Sequence, residues 1–421
     1  MVYSIVIFVI TYILMIALPK YRVYVALSSA AVFLISGLLP WQGFLSYVDF
    51  NVLMMIAGTM GAVSLFIESK MPNRLADIII DRMPNVKWAI VALCLFAGII
   101  SAFVDNVATV LMVAPVALAI SKRLDINPVP VVISIAVSSN LQGAATLVGD
   151  TTSILLGGAA NMNFLDFFIY HGKPSMFFAT ELGALVSVFM LLVIFRKDNK
   201  PISAKEKTVV TDYFPTIILA GIVVLLILAS FIPNTPAMIN GIICVSMMAI
   251  GIIYEAIRKK SLKSIVKPLK EIDFETIGLL FGLFIVIGAI EHNGVIDALA
   301  EALASIGGSV FLMYTVIVWA SVLISAFVDN IPYVATMLPV VAGIASKMSI
   351  DPTVLYFGLL IGATLGGNMT PIGASANITG IGLLRKEGYE VKNKDFFKIG
   401  IPFTLCTVIA GYVFIWLMFG A

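Results

Sequence analysis

The sequence predicts an all-α polytopic membrane protein built as an inverted repeat of two halves. Each half is predicted to hold five transmembrane helices, one of which is broken, and one helical hairpin. The composition, an internal repeat and the placement of basic residues support this. Of the 421 residues, 60% are hydrophobic and 12% are charged, whereas a soluble domain is about half apolar and about a quarter charged. No soluble core could bury so much apolar sequence, so lipid must be the solvent.

The repeat has an offset of 224 residues (329 − 105). The segment SAFVDN at residues 101–106 recurs letter for letter at residues 325–330. The same offset aligns other pairs, namely Asp49-Phe50 with Asp273-Phe274, Gly58 with Gly282, Pro115 with Pro339, Pro128 with Pro352, Thr146 with Thr370 and Gly149 with Gly373. We therefore predict two related halves, residues 1–200 and 201–421, as in transporters built from inverted repeats.

Eight apolar runs can each cross a bilayer, for which about 20 residues suffice. They lie near residues 2–18, 22–40, 50–68, 175–195, 213–231, 235–256, 273–291 and 399–419. Two longer stretches with Asp-Asn in the middle are predicted hairpins, residues 87–121 and 310–345. Two stretches interrupted by polar residues and glycines are predicted broken helices, residues 129–163 and 353–384.

The basic residues support opposite insertion of the two halves. With both termini outside the cell, the predicted cytoplasmic segments hold all of the 26 basic residues except Lys173 and Lys347. Cytoplasmic loops carry such an excess of Lys and Arg. The charges do not distinguish hairpins that cross the membrane from hairpins that turn back inside it.

Asp105 and Asp329 lie in the middle of the hairpins. A carboxylate in hydrocarbon costs about 2.5–3.5 kcal/mol even on lenient scales, so a proton, a cation or a partner must neutralise it. No Lys or Arg is expected inside a predicted span, so we expect a proton or Na⁺ and no salt bridge. The alternative is a protonated Asp that holds the hairpin turn by hydrogen bonds to backbone N–H groups.

Asp150 has no acidic counterpart, because Ala374 occupies the matching position. It is either a coupling-ion or proton site, or an inert carboxylate beside a water-filled cavity.

The broken helices free backbone groups, which the membrane tolerates only where they line a cavity or find new partners. Freed carbonyls with Ser, Thr and Asn oxygens suit Na⁺, whereas half-helix N-termini suit an anion. Glycine-mediated helix packing is the alternative explanation for the glycines. The candidate ion-binding residues are Asp105, Asn106, Thr109, Asn140, Gly143, Thr146, Asp150, Thr152, Ser153, Asp329, Asn330, Thr364, Gly367, Asn368, Thr370, Ser375 and Asn377. Within this set, Na⁺ is placed at Asn106, Asn140, Asn330 and Asn368.

Three motifs resemble the ArsB/NhaD branch of the ion transporter superfamily: SAFVDNVATVLMVAP, SAFVDNIPYVATMLP and GATLGGNMTPIGASANITGIGLL. The chain looks most like the P protein and NhaD-type Na⁺/H⁺ antiporters, and more distantly like citrate and dicarboxylate carriers. The resemblance covers about residues 20–420. It implies an inverted-repeat fold with two re-entrant hairpins, a scaffold domain, a mobile transport domain and a homodimer. It also places Asn106 and Asn330 at hairpin tips that face the broken helices.

The expected function is secondary active ion transport by alternating access, coupled to Na⁺ or H⁺. Cation/proton exchange leads, because the site has acids and no fixed base. Moreover, the dicarboxylate carriers have Ser-Asn-Thr at tips where this chain has Asp-Asn. The alternative is a Na⁺- or H⁺-coupled transporter of a small anion or oxyanion, such as citrate, a dicarboxylate, arsenite or silicate. A channel stays open as a further class.

An intramembrane aspartyl protease is disfavoured, since Asp150 follows Leu147-Val148-Gly149 and the GxGD run of such enzymes is absent. We expect no enzyme activity, no cofactor other than Na⁺ as a coupling ion, and no nucleic-acid partner. The expected partners are the lipid bilayer, a small ion and a second copy of the chain. The expected location is the inner membrane of a bacterium or archaeon.

Overall fold

The computed structural model of this chain describes residues 1–201, 208–233, 235–260, 263–305 and 308–420. Within these residues the structure is almost entirely helical, apart from short turns and one antiparallel ribbon of β1 (Ile169–Tyr170) and β2 (Lys173–Pro174). Lys205 and Lys207, two basic residues used in the charge argument, lie outside the described residues.

The first half forms nine helices within its described residues. They are α1 (Val2–Ala17), α2 (Arg22–Ile35), α3 (Phe50–Glu68), α4 (Met71–Asp81), α5 (Val86–Ser101), α6 (Asn106–Leu124), α7 (Pro128–Gly143), α8 (Thr151–Ala159) and α9 (Met176–Ile194).

The second half forms ten helices within its described residues. They are α10 (Phe214–Ser230), α11 (Ile239–Lys259), α12 (Lys263–Lys270), α13 (Phe274–His292), α14 (Val295–Ala304), α15 (Val310–Ser325), α16 (Asn330–Met348), α17 (Thr353–Gly366), α18 (Ser375–Lys386) and α19 (Asn393–Phe419).

The repeat in the sequence is also a repeat in secondary structure. The first arms of the two hairpins, α5 and α15, begin and end 224 residues apart, and the second arms, α6 and α16, begin 224 residues apart. The helices after the two breaks, α8 and α18, also start at matching positions. Five of the eight predicted spans coincide with helices long and apolar enough to cross a membrane, namely α3, α9, α11, α13 and α19. Helices α1, α2 and α10 are shorter than the spans predicted near residues 2–18, 22–40 and 213–231. The hairpins, the broken helices and the opposite insertion of the halves stay predictions.

Six helices in the described part of the chain are long and apolar enough to cross a membrane: α3, α9, α11, α13, α16 and α19. Large apolar side chains are exposed along the outer helices, for example Val9 of α1, Phe189 of α9 and Ile257 of α11. Such exposure fits lipid as the surrounding solvent and not water.

The two broken helices run through the centre of the molecule. Every residue of α17 is buried, and so is nearly every residue of α7. Helix α7 packs on α5 and α6, while α17 packs on α15, α16 and α19. The breaks that follow α7 and α17 therefore lie in the protein interior, where freed backbone groups are tolerated.

Candidate functional site

The two hairpin tips share the same local geometry. Asp105 is the N-cap of α6, and its Oδ1 accepts hydrogen bonds from the backbone N–H groups of Val107 (3.0 Å) and Ala108 (3.1 Å). Asp329 is the N-cap of α16 and accepts from the N–H of Ile331 at 3.1 Å. An Asp at this position satisfies otherwise unpaired N–H groups of the first turn and opposes the positive end of the helix. Each Asp therefore has a structural role in its tip.

The helix breaks also match, and glycine is required in them. The Thr146 hydroxyl donates to the Ala102 carbonyl, and the Thr370 hydroxyl donates to the Ala326 carbonyl, so each break is tied to the tip of its own hairpin. A Cβ on Gly149 would lie 2.5 Å from the carbonyl oxygen of Gly143. Only glycine allows so close an approach of backbone to backbone.

Buried asparagines join the two halves. The Asn106 Nδ2 donates to the Asn140 Oδ1 at 2.7 Å. The Asn140 Nδ2 then donates across the halves to the Thr364 carbonyl (3.0 Å) and to the Asn368 Oδ1 (3.1 Å). Finally, the Asn368 Nδ2 donates to the Val137 carbonyl at 3.0 Å. Three of the four residues predicted to bind Na⁺ thus form one continuous hydrogen-bond network across the two halves.

Asp150 begins a second link between the halves. Its Oδ2 accepts from the Thr152 hydroxyl at 2.8 Å, and the Thr152 hydroxyl lies 3.0 Å from that of Thr364. Ser153 donates to the Gly143 carbonyl at 3.3 Å, and Asn377 donates to the matching Gly367 carbonyl at 3.0 Å. The Asn377 Nδ2 also donates to the Thr370 carbonyl, while its Oδ1 is buried with no hydrogen-bond partner among the described residues.

A cavity of about 270 Å³ lies where the hairpin tips meet the helix breaks. Among the described residues that line it, four carry carboxylates and none is Lys, Arg or His. The four acids are Asp105, Asp150, Glu271 and Asp273. Other polar lining residues are Ser64, Asn106, Thr151, Thr276, Asn330 and Ser375. We call this the acidic cavity; its chemistry suits a cation.

A second cavity, of about 260 Å³, occupies positions related to the first by the repeat. Tyr47, Asp49 and Val52 line the second cavity at the positions that match Glu271, Asp273 and Thr276 of the acidic cavity. Four more lining residues of the second cavity match lining residues of the acidic cavity. They are Phe284, Ile287, Gly288 and Glu291, which match Met60, Val63, Ser64 and Ile67 in that order. The second cavity reaches Ala335, Leu338 and Pro339 of α16, but neither Asp329 nor Asn330 is among its lining residues in the described structure. We call it the matching cavity.

The expectation that Asp329 has no basic partner is wrong. The Arg22 Nη1 lies 2.7 Å from the Asp329 Oδ2, and the two side chains are 28% and 13% exposed. Arg22 stands at the first position of α2, where the chain turns by 115° after α1. That turn brings a residue assigned to a cytoplasmic segment against the tip of the second hairpin. The sequence signal was the position of Arg22 at the very start of an apolar run.

The structure distributes the other predicted residues between the cavity and its supports. Asp105, Asn106, Asp150, Asn330 and Ser375 line the acidic cavity. Thr109 instead bonds weakly to the Val104 carbonyl at 3.4 Å within the hairpin, which indicates a structural role. Sequence reasoning missed Glu271 and Asp273, although the repeat of Asp49-Phe50 as Asp273-Phe274 marked the latter.

Comparison with known families identifies a match over most of the chain. The family model described as "Citrate transporter" matches residues 10–362 and 261–421. A "46 kDa membrane protein" of Mycobacterium leprae (strain TN) is 30% identical over 430 residues, which cover 99% of both chains. The P protein of Mus musculus is 24% identical over 455 residues, covering 88% of this chain and 54% of that protein. These matches confirm the resemblance to the ion transporter superfamily.

A solved structure shows the same fold. The crystal structure of the Alcanivorax borkumensis YdaH transporter aligns with a TM-score of 0.64 at 12% identity, covering 90% of this chain and 88% of that one.

Proposed function

This chain belongs to the citrate transporter family and is an integral membrane transporter, and on that premise we propose that it is a secondary active transporter that exchanges a cation for protons. Na⁺ is the proposed coupling cation. The acidic cavity carries the proposal, because four carboxylates line it and none of the described lining residues is basic.

The partial positive charges at helix N-termini do not outweigh the negative charge of the acidic cavity. The N-termini of α6 and α13 point toward the cavity, but Asp105 and Asp273 cap them. A helix N-terminus is equivalent to about half a positive charge, whereas a carboxylate carries a full negative one. At these two helix termini the net field therefore favours a cation or a proton.

The two cavities support alternating access. In the predicted orientation, the start of α13 is cytoplasmic, so the acidic cavity opens toward the cytoplasm and reaches both hairpin tips. The matching cavity opens toward the outside and ends along α16, short of the tip. We propose a second conformation, open toward the outside, in which the matching cavity extends to the hairpin tips and the acidic cavity is closed. Inverted repeats permit such an exchange of conformations around a fixed central site.

A second candidate function is cation-coupled uptake of a small anion. The family description names citrate, and α18 begins after Ala374 without a side-chain cap while Ser375 lines the acidic cavity. An uncapped helix N-terminus favours an anionic group. In this alternative, the first half would hold the cation and the start of α18 would hold the anion.

A flux assay separates the two candidates. The full chain is reconstituted into liposomes, and internal pH is followed under a Na⁺ gradient with and without citrate. Cation/proton exchange predicts a pH change that needs Na⁺ alone, saturates with Na⁺, and is lost in Asp150→Asn but not in Asp297→Asn, an exposed carboxylate on α14. A pH change that requires citrate would favour the second candidate. Flux that does not saturate would indicate a channel and contradict both.

A further inference from the structure

The two hairpin tips have identical sequences, but their carboxylates have different surroundings. Asp105 lines the acidic cavity and has no ion-pair partner among the described residues. Asp329 is not among the lining residues of that cavity and lies instead in a separate space of about 230 Å³, paired with Arg22. Only the neighbouring Asn330 and Ile331 of the second tip reach the acidic cavity.

The first two helices hold Arg22 in place. Pro19 starts the short turn between α1 and α2, and Arg22 follows as the first residue of α2. The Tyr12 hydroxyl of α1 donates to the Pro332 carbonyl at 2.8 Å and also contacts the Thr336 hydroxyl. Both contacts lie within the first two turns of α16, so α1 is fixed to the same tip that Arg22 reaches.

Among the described residues, the first half has no equivalent of this pair. Matching glycines pack against the two helices, Gly282 against Ala26 of α2 and Gly58 against Cys244 of α11. This pairing puts Asn240, near the start of α11, at the position of Arg22, so no basic residue is supplied to Asp105 from there. A second difference between the halves also leaves the first half with more unpaired negative charge, because Asp150 of the first half corresponds to Ala374 of the second. The first half thus offers two carboxylates without a fixed cation, while Arg22 and Asp329 of the second tip are together neutral.

We propose that Arg22 is a built-in counter-ion that occupies Asp329 in place of a transported cation, so that cations load on the first half alone, at Asp105 and Asp150. This inference rests on the proposed cation transport. Asp329 is then a positioning residue for the second tip and not an ion ligand. Breaking one member of a buried ion pair leaves an uncompensated charge, whereas removing both members does not.

The test is a double-mutant cycle on the reconstituted full chain, read as the initial rate of Na⁺-driven internal pH change. We expect Arg22→Gln and Asp329→Asn each to slow transport by about tenfold or more, and the double variant to recover to within about threefold of the wild type. Arg22→Lys, which keeps the charge, should retain most of the rate. Asp105→Asn combined with Arg22→Gln should show no recovery. A double variant as slow as Asp329→Asn would overturn the proposal, because the carboxylate itself would then be required.

The Na⁺ dependence gives a readout that a purely structural pair would not change. In Arg22→Gln the freed Asp329 offers an additional carboxylate, so the dependence of rate on Na⁺ concentration should become steeper. In the double variant the steepness of this Na⁺ dependence should return to the wild-type value. If the steepness in Arg22→Gln equalled that of the wild type, the counter-ion role would be overturned.

Thermal unfolding of the same proteins separates this inference from the proposed function. Without any ion gradient, each single variant should unfold at a lower temperature, and the double variant should regain most of the loss. That pattern would support the charge pair even if the wild type showed no Na⁺-driven flux. A double variant as unstable as Asp329→Asn would overturn the pairing.

Discussion

The side chain of Asn140 connects the two halves at the centre of the molecule. It accepts from Asn106 of the first hairpin tip and donates to Thr364 and Asn368 of the second half. Asn140 and Asn368 are both fully buried. Because a buried polar group is costly only when it lacks a partner, this network stabilises the site as long as it is complete.

Replacement of Asn140 tests this role. Asn140→Ala leaves an Asn106 donor and two acceptors of the second half without their partner, and each unsatisfied buried group costs about 1–3 kcal/mol. We expect a clear fall in thermal stability and in transport rate. Asn199→Ala is the control, since the described structure gives the Asn199 side chain one exposed hydrogen bond, to the carbonyl of Arg196. Equal stability of the two variants would contradict a structural role for the network.

Individual residues differ in how well the sequence predicts them. Asp105 and Asp150 are visible as acids in apolar segments without a nearby base, and both line the acidic cavity. Arg22 is not predictable in the same way, because its partner Asp329 is 307 residues away in the chain. The distribution of basic residues assigns Arg22 to a cytoplasmic segment, but only the turn after α1 and the packing of Tyr12 on α16 show where its side chain goes.

At the scale of elements, the helix breaks position the site. Each break ends a fully or nearly fully buried helix and starts a new one, and a Thr in each break binds the carbonyl of its own hairpin tip. Gly149 and Gly373 face the matching carbonyls of Gly143 and Gly367. Glycine spacing and polar clusters predict the breaks from sequence. They do not predict that the two breaks are joined, since that requires the packing of one half on the other.

Glycine substitutions test the close approach within the breaks. In Gly373→Ala the new methyl would lie 2.6 Å from the Gly367 carbonyl oxygen, and in Gly149→Ala it would lie 2.5 Å from that of Gly143. We expect each to lower stability by about 1–3 kcal/mol, as overpacking does, and to slow transport. Gly382→Ala in α18 has nothing within 4 Å and should stabilise the helix by roughly 0.5–1 kcal/mol. Equal effects at all three positions would show that the breaks need no glycine.

At the scale of the whole molecule, the repeat produces two cavities of similar size but unequal depth. The acidic cavity reaches both tips, whereas the matching cavity is not lined by Asp329 or Asn330 in the described structure. The repeat in the sequence predicts that two such cavities exist. It cannot predict which one is deeper, because that depends on the conformation of the molecule. The opposite insertion of the halves and the homodimer stay predictions.

Single cysteines can follow the exchange between the two cavities. Ala108 lines the acidic cavity and Ala335 lines the matching cavity. After Cys94, Cys244 and Cys406 have been replaced, we expect labelling of Ala108→Cys and Ala335→Cys to change in opposite directions when the Na⁺ gradient is reversed. Accessibility that rises or falls together at both positions would indicate a pore or a static fold.

Binding of radioactive sodium to the purified protein tests the central claim most directly. The account predicts saturable Na⁺ binding that weakens as pH falls, because protons compete for the carboxylates of the acidic cavity. Binding should be lost in Asp105→Asn and in Asp150→Asn, and kept in Asp297→Asn and in the double variant of Arg22→Gln with Asp329→Asn. Sodium binding that is absent from the wild type, or that persists unchanged without Asp105 and Asp150, would contradict the claim that the first half loads the transported cation.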